Sequence, residues 1–269
     1  MTLGFNIGSI WMADPVNQGK GELINDGKLG DDPSWMDHTR DLLGMINQFR
    51  DQMPRPLIGV GHSAGGAQIA NLAFMHPRLL SSIIFLDPAI LKSPPTQFRE
   101  HPIFHKYILN RPESWPSRSQ AEASIPKWPT YGGWDKRCLQ RFLEHGILDL
   151  PVPESSSKDK KVNTPVAFAI SVAQEIHFLG RRPMAQRQAD GTMKLDRDAA
   201  PDLDPLDADD RLYRHEMRAT WHRLPELRPS AKFILGGRSY LPLHELREGI
   251  QQCGTGRSGS GGDPKWPRL

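Results

Sequence analysis

The pentapeptide GHSAG at residues 61–65 restricts the possible folds of this chain more than any other segment of its sequence. It follows a short apolar run at 57–61 and precedes a segment at 64–76 whose apolar residues recur at helical spacing. A Gly-x-Ser-x-Gly sequence between a strand and a helix is typical of a sharp turn that holds the serine in a strained, exposed conformation. The sequence therefore predicts that Ser63 projects from the end of a parallel sheet, with the backbone N–H of Ala64 as one oxyanion donor.

The segments around this turn alternate between strand and helix patterns. The predicted elements are, in order, a strand at 5–14, a helix at 34–50, a strand at 57–61, a helix at 64–76 and a strand at 81–87. Ser34 and Asp37 have the spacing of a capping box at the start of the first helix. A β-α-β-α-β order is typical of a parallel sheet with helices on both faces, so we predict a doubly wound α/β fold.

A long insertion separates two parts of the predicted sheet. It is rich in Pro, Trp and Arg, shows helical spacing at 134–146 and 162–179, and precedes a strand pattern, AKFILGG, at 231–237. An insertion of this kind between two sheet strands is typical of a helical lid. The predicted organisation is an α/β core at 1–91, a lid at 92–225, the last part of the core at 226–250 and a flexible Gly/Ser tail at 251–269.

Composition argues against several functional classes. The net charge is +3 with no block of basic residues interleaved with aromatics, so nucleic-acid binding is not predicted. No apolar run approaches the ~20 residues of a membrane helix, and residues 1–10 do not have the pattern of a secretory signal. Cys138 and Cys253 form no disulfide or zinc pattern. The acidic run at 196–210 departs from a calcium loop and predicts a solvated loop, so we expect no metal and no cofactor.

A nucleophilic serine needs a base, and the base needs an acid to orient it. Asp87 follows the next strand and is a candidate for the acid, although an Asp-Pro turn that ends the strand explains it equally well. The alternative position, after the strand at 231–237, offers Ser239 and no carboxylate. The histidines downstream of Asp87 are His101, His105, His145, His177, His215, His222 and His244. None of them follows a final strand in a Gly-rich turn, so we assign no base.

Several separate segments of the sequence resemble segments of a known protein family. DDPSWMDHTRDLL, MPRPLIGVGHSAGG, FLDPAI and WDKRCLQRFLEHGILDLP are similar to segments of fungal α/β-hydrolases of toxin biosynthesis, including those of the Alternaria AK- and AF-toxin clusters. The resemblance extends over nearly the whole chain. It implies Ser63 as nucleophile, Asp87 as acid and 92–225 as lid. It also implies hydrolysis of a small-molecule ester or thioester, such as an acyl-CoA, in fungal secondary metabolism and virulence.

The same resemblance implies that this chain is a truncated form of the fold at both ends. Members of the family have earlier strands with an HG-type oxyanion loop, and a last strand followed by a turn that carries the histidine. We therefore expect a sheet of about four strands, at 5–13, 57–61, 81–87 and 231–236. The alternative function is that of a catalytically incompetent or decayed member that binds a ligand or a partner protein.

The last three residues suggest a location. Pro267, Arg268 and Leu269 resemble a peroxisomal signal of the Ser-Lys-Leu type. We therefore expect the peroxisomal import receptor as a partner and the peroxisome as the location, with the cytoplasm as the alternative.

Overall fold

The computed structural model describes residues 6–93, 103–150, 164–210, 212–237, 239 and 241–255. The helices are α1 (Lys20–Ile24), α2 (Trp35–Gln48), α3 (Ala64–Met75), α4 (Ile103–Leu109), α5 (Arg118–Ser124), α6 (Pro129–Gly132), α7 (Lys136–His145), α8 (Val172–Leu179), α9 (His215–Arg223) and α10 (Leu243–Gln252). The strands are β1 (Ile58–His62), β2 (Ser82–Leu86), β3 (Ser114–Trp115), β4 (Ile147–Asp149), β5 (Val166–Phe168), β6 (Ala185–Arg187), β7 (Met193–Leu195) and β8 (Ser230–Ile234). Short 3-10 helices lie at Arg50–Gln52, Ile125–Lys127, Pro205–Asp207 and Leu224–Glu226. Within these ranges, no helix has both the length and the apolar character needed to cross a membrane.

The chain forms two compact units. Unit 1 consists of Met1–Trp11, Ser34–Pro102 and Gly180–Leu269, and unit 2 of Met12–Pro33 and Ile103–Leu179. These boundaries differ from the predicted core and lid, because residues 180–225 belong to the unit that carries the parallel sheet and residues 12–33 belong to the other unit.

Unit 1 contains a parallel sheet with the strand order β1-β2-β8. The strands run in register, with Val60 opposite Ile84 and Ile84 opposite Lys232. Helix α3 packs on one face of this sheet. A Cβ atom on Gly59 would lie 2.7 Å from Ile69 Cγ2 of α3, so glycine lets this helix approach the sheet closely. Val60, which points away from α3, is 56% exposed. In the described residues, α3 therefore covers the face of β1 that contains Gly59, and the face that contains Val60 is more exposed than the predicted sheet with helices on both faces implies.

The predicted strand at 5–14 is wrong for the residues that are described. Residues 6–15 have no regular secondary structure, and the side chains of Ile7, Ile10 and Met12 are 67%, 75% and 88% exposed. A strand is stable only where a neighbouring strand accepts its backbone hydrogen bonds, and no described strand pairs with this segment. The described parallel sheet accordingly has three strands where four were expected.

Helix α2 begins at the predicted cap. Ser34 Oγ accepts the N–H of Met36 at 3.1 Å, and Asp37 Oδ2 accepts the N–H of Ser34 at 3.2 Å, which confirms the capping box. A second carboxylate, Glu216 on α9, accepts both the Trp35 N–H and the Ser34 hydroxyl at 3.0 Å. Two negative groups therefore lie at the positive end of α2, and one of them, Glu216, connects it to α9.

Unit 2 is built on a small antiparallel sheet with the order β3-β5-β4. The prediction of a helix over 162–179 is wrong at its start, because Val166–Phe168 forms the central strand β5 and the helix α8 begins at Val172. The side chains of Val166 and Phe168 are buried and that of Ala167 between them is partly exposed, which is the alternation expected of a strand with one face on the core. They pack with the buried residues Trp115, Ala121, Ile125 and Ile147.

The acidic run at 196–210 is the predicted solvated loop only in part, because residues 196–199 are exposed but two later acidic residues are buried. Asp207 and Asp210 are only 2% and 6% exposed. Arg218 of α9 forms an ion pair with Asp207, and Arg181 contacts Asp202 at 2.6 Å. Arginines on either side of the run neutralise these carboxylates, which allows the segment to fold back into unit 1 instead of extending into water. No group of side chains that could hold a metal ion is found in the described part of the chain.

Candidate active site

Ser63 occupies a strained turn between β1 and α3. Its backbone has φ 52° and ψ −122°, a left-handed conformation that a residue with a side chain rarely adopts. Glycine at position 61 makes the turn possible, because a Cβ there would lie 2.4 Å from the Gly65 carbonyl oxygen. Gly66 is required as well, since its Cβ would lie 2.6 Å from Pro88 Cβ. The strand-turn-helix context predicted for the pentapeptide is therefore present.

Backbone hydrogen bonds connect the turn to the segment after β2. The Ser63 N–H donates to the Leu86 carbonyl at 3.0 Å, and the Ser63 carbonyl accepts the Ala89 N–H at 2.9 Å. Ala64 is the first residue of α3, so its N–H has no acceptor within the helix. A free N–H at a helix N-terminus can stabilise negative charge beside the serine.

Asp87 also adopts an unusual backbone conformation. Its φ is 45°, and its N–H donates to the Ile234 carbonyl at the end of β8 at 2.8 Å. Its Oδ1 accepts the N–H of Gly236 at 3.2 Å. Ser63 and Asp87 each follow the last residue of a strand, and those last residues, His62 and Leu86, lie opposite each other in the sheet. The structure therefore brings these two predicted residues to the same edge.

Sequence reasoning did not identify two residues that support this edge. The Gly236 N–H donates to one oxygen of Asp87 and holds it in place. The only sequence signal for this contact is that Gly236 and Gly237 come directly after a predicted strand. Glu245 of α10 accepts the N–H groups of Lys92 and Ser93 at 3.0 and 3.1 Å. This carboxylate anchors the loop that leaves Asp87. Ser239, the residue at the alternative acid position, donates its backbone N–H to the Gly236 carbonyl at 3.0 Å.

A base for Ser63 is not identified among the described side chains, where no hydrogen bond to Ser63 Oγ is found. His145, His222 and His244 are exposed. His222 packs edge-on against Trp221, with ring centroids 5.2 Å apart. His101 lies outside the described residues, as do Pro267, Arg268 and Leu269 of the suggested peroxisomal signal.

Comparisons with known proteins agree on one type of fold. A family model described as Hydrolase_4, serine aminopeptidase S33, matches residues 9–130. The peroxisomal α/β-hydrolase Lpx1 of Saccharomyces cerevisiae superposes with a TM-score of 0.63 at 16% identity, over 89% of this chain and 56% of Lpx1. At this identity the likeness concerns the fold alone.

Two groups of fungal proteins are similar in sequence. The type I acyl-CoA thioesterase mpaH of Penicillium brevicompactum is 41% identical over an alignment of 279 residues, gaps included, that covers 97% of this chain. The abhydrolase domain-containing protein AKT2 of Alternaria alternata is 38% identical over 95 residues, or 35% of this chain. The similarity to the Alternaria protein is thus shorter than the near-complete resemblance expected. The chain spans 63% of the length of the thioesterase.

Proposed function

We propose that this chain, which belongs to the α/β-hydrolase superfamily, hydrolyses an acyl thioester or ester through Ser63. The predicted family and fold class are confirmed. The observation that carries the proposal is the left-handed backbone of Ser63, φ 52°, between β1 and α3. A conformation of this cost persists where the surrounding structure requires it, which is common at nucleophiles.

Each residue of the edge has a proposed role. Ser63 Oγ attacks the acyl carbonyl, and the carbonyl oxygen gains a negative charge that the Ala64 N–H stabilises. A base takes the Ser63 proton and returns it to the leaving thiol or alcohol, and water then hydrolyses the acyl-serine. Asp87, whose carboxylate the Gly236 N–H holds, orients the histidine that acts as this base. We assign no residue of this chain to that histidine.

The substrate class is proposed from the relatives. The Penicillium protein that aligns with 97% of this chain is named a type I acyl-CoA thioesterase, which supports an acyl thioester in fungal secondary metabolism. The role in toxin biosynthesis that the sequence resemblance implies stays a prediction, since the similarity to the Alternaria protein covers 35% of the chain. The alternative, a member that binds an acyl ligand without turning it over, differs only in lacking an activated serine.

The experiment that tests the proposal is labelling with a fluorophosphonate, read by intact mass. We expect one equivalent of probe on the parent chain and none on the Ser63→Ala variant, because the probe reacts only with a serine that a base has activated. Both proteins are compared by circular dichroism so that loss of label is not loss of fold.

A folded parent chain that takes up no probe would contradict the hydrolase proposal and favour the binding protein. Labelling that persists in Ser63→Ala would place the reactive residue elsewhere. Positive labelling is followed by assay of acyl-CoA against the matching acyl ester, which separates thioester from ester preference.

The peroxisomal location stays a prediction from Pro267, Arg268 and Leu269. A fluorescent protein fused before residue 1 is expected to give a punctate signal that overlaps a peroxisomal marker. The same fusion without Leu269 is expected to be diffuse, because the import receptor recognises the terminal leucine. A diffuse signal from the intact fusion would overturn this prediction.

A further inference from the structure

Unit 2 contains an open cavity of about 360 Å³ beside its antiparallel sheet. Its apolar lining includes Leu150, Ala167, Phe168 and Ile170, and two carboxylates, Glu22 and Glu113, also line it. All of these residues belong to unit 2. An apolar wall with a few polar groups is the usual composition of a small-molecule site.

Glu22 is held in place by the start of α8. The Ser171 N–H donates to its two oxygens at 3.2 and 3.1 Å, just before the first residue of the helix. The positive end of the helix therefore offsets part of the Glu22 charge. This carboxylate is therefore fixed in position, and part of its attraction for a cation is already offset.

Glu113 has the opposite character. Its side chain is exposed, and among the described residues it forms no hydrogen bond and no ion pair. Its charge is therefore available to whatever enters the cavity. Since water surrounds it in the absence of a ligand, its effect on affinity is that of a partly screened charge.

Arg111, a buried cation that contacts two residues of the cavity lining, does not cancel this charge. Its Nε and Nη2 donate to Glu175 Oε2 at 3.1 and 2.9 Å, so the Arg111 charge is already paired. Nη2 also donates to the Ile170 carbonyl at 2.9 Å, and the guanidinium lies 4.5 Å from the centre of the Phe168 ring. Arg111 thus supports two residues of the apolar wall, and the cavity keeps a net negative charge.

We propose that unit 2 binds an apolar ligand that carries a cationic or hydrogen-bond-donating end, and that Glu113 makes the site discriminate against carboxylates. The apolar part of the ligand packs on Ala167 and Ile170, and its polar end lies beside Glu113. The proposal goes beyond hydrolysis, because binding in unit 2 does not depend on a reactive Ser63.

The test uses three probes with the same eight-carbon chain: n-octylamine, 1-octanol and octanoate. Binding is measured by calorimetry at neutral pH on the full chain with Ser63→Ala, so that the result does not depend on whether the serine is active. We expect octylamine to bind about tenfold more tightly than octanoate, with octanol between them.

Two further variants assign the effect. Glu113→Gln is expected to reduce the preference for octylamine to about twofold, whereas Glu122→Gln, on an exposed residue of α5 in the same unit, keeps the full preference. Ala167→Leu narrows the cavity and is expected to reduce the affinity for all three probes about tenfold or more.

Three results would overturn the proposal. They are octanoate binding at least as tightly as octylamine, a preference unchanged in Glu113→Gln, and binding unchanged in Ala167→Leu. Tighter binding of octanoate would identify Arg111, not Glu113, as the group that selects the ligand.

Discussion

The Gly61→Ala variant is expected to lose about 3 kcal/mol or more of its free energy of unfolding and to lose reactivity at Ser63. The added Cβ would lie 2.4 Å from the Gly65 carbonyl oxygen and 2.8 Å from Gly66 Cα. Both contacts are with backbone, so no side chain can rotate away, and the turn itself has to move. Moving it displaces Ser63 from the left-handed conformation and Ala64 from the helix start. Urea unfolding gives the stability, and the fluorophosphonate labelling rate gives the reactivity.

Gly65→Ala is the matched control within the same pentapeptide. A Cβ at position 65 would meet only Gln68 Oε1, at 4.0 Å, and this position is already helical. Alanine is up to about 1 kcal/mol more favourable than glycine in a helix, so the control is expected to be as stable as the parent or more stable. If Gly61→Ala unfolds at the same urea concentration as Gly65→Ala, the close approach at this turn is not the constraint that we describe.

The structure confirms the elements that short-range patterns encode. The capping box of Ser34 and Asp37 lies within four residues, and the turn at Ser63 depends on glycines two and three residues away. Helices α2 and α3 and strands β1, β2 and β8 form close to their predicted positions for the same reason. Periodicity and turn chemistry are properties of neighbouring residues, and they can be evaluated without knowing the partner segment.

The predictions that are wrong depend on distant partners. Residues 6–14 have strand-forming composition but pair with no described strand, while Val166 forms a strand because Trp115 and Asp149 lie opposite it. Asp207 is buried because Arg218 lies on the helix against it. The contact of the Gly236 N–H with Asp87 spans 149 residues and uses a backbone donor that every non-proline residue has. No local pattern distinguishes these cases.

Glu216→Gln is expected to cost about 3–5 kcal/mol of the free energy of unfolding at neutral pH. The Glu216 side chain is 2% exposed, and its Oε1 accepts from Ser34, from the Trp35 N–H and, at 3.4 Å, from Arg214 Nη1. Glutamine keeps the shape but removes the charge that compensates the buried guanidinium of Arg214 and the positive end of α2. Urea unfolding at a series of pH values measures both the size of the loss and its origin.

The pH series separates a charge effect from a packing effect. Burial alone would raise the pKa of Glu216, but the charge of Arg214 and the N–H of Trp35 outweigh it, so the pKa lies below its usual value. A lowered pKa means that the ionised carboxylate stabilises the fold above pH about 4 and that this contribution disappears as the pH falls through the folded-state pKa. The difference between parent and Glu216→Gln should therefore shrink in acid. Glu226→Gln, which removes an exposed pair with Arg223, should cost less than about 1 kcal/mol at neutral pH. A Glu216→Gln deficit that stayed constant down to acid pH would assign the loss to packing and not to the charge at the start of α2.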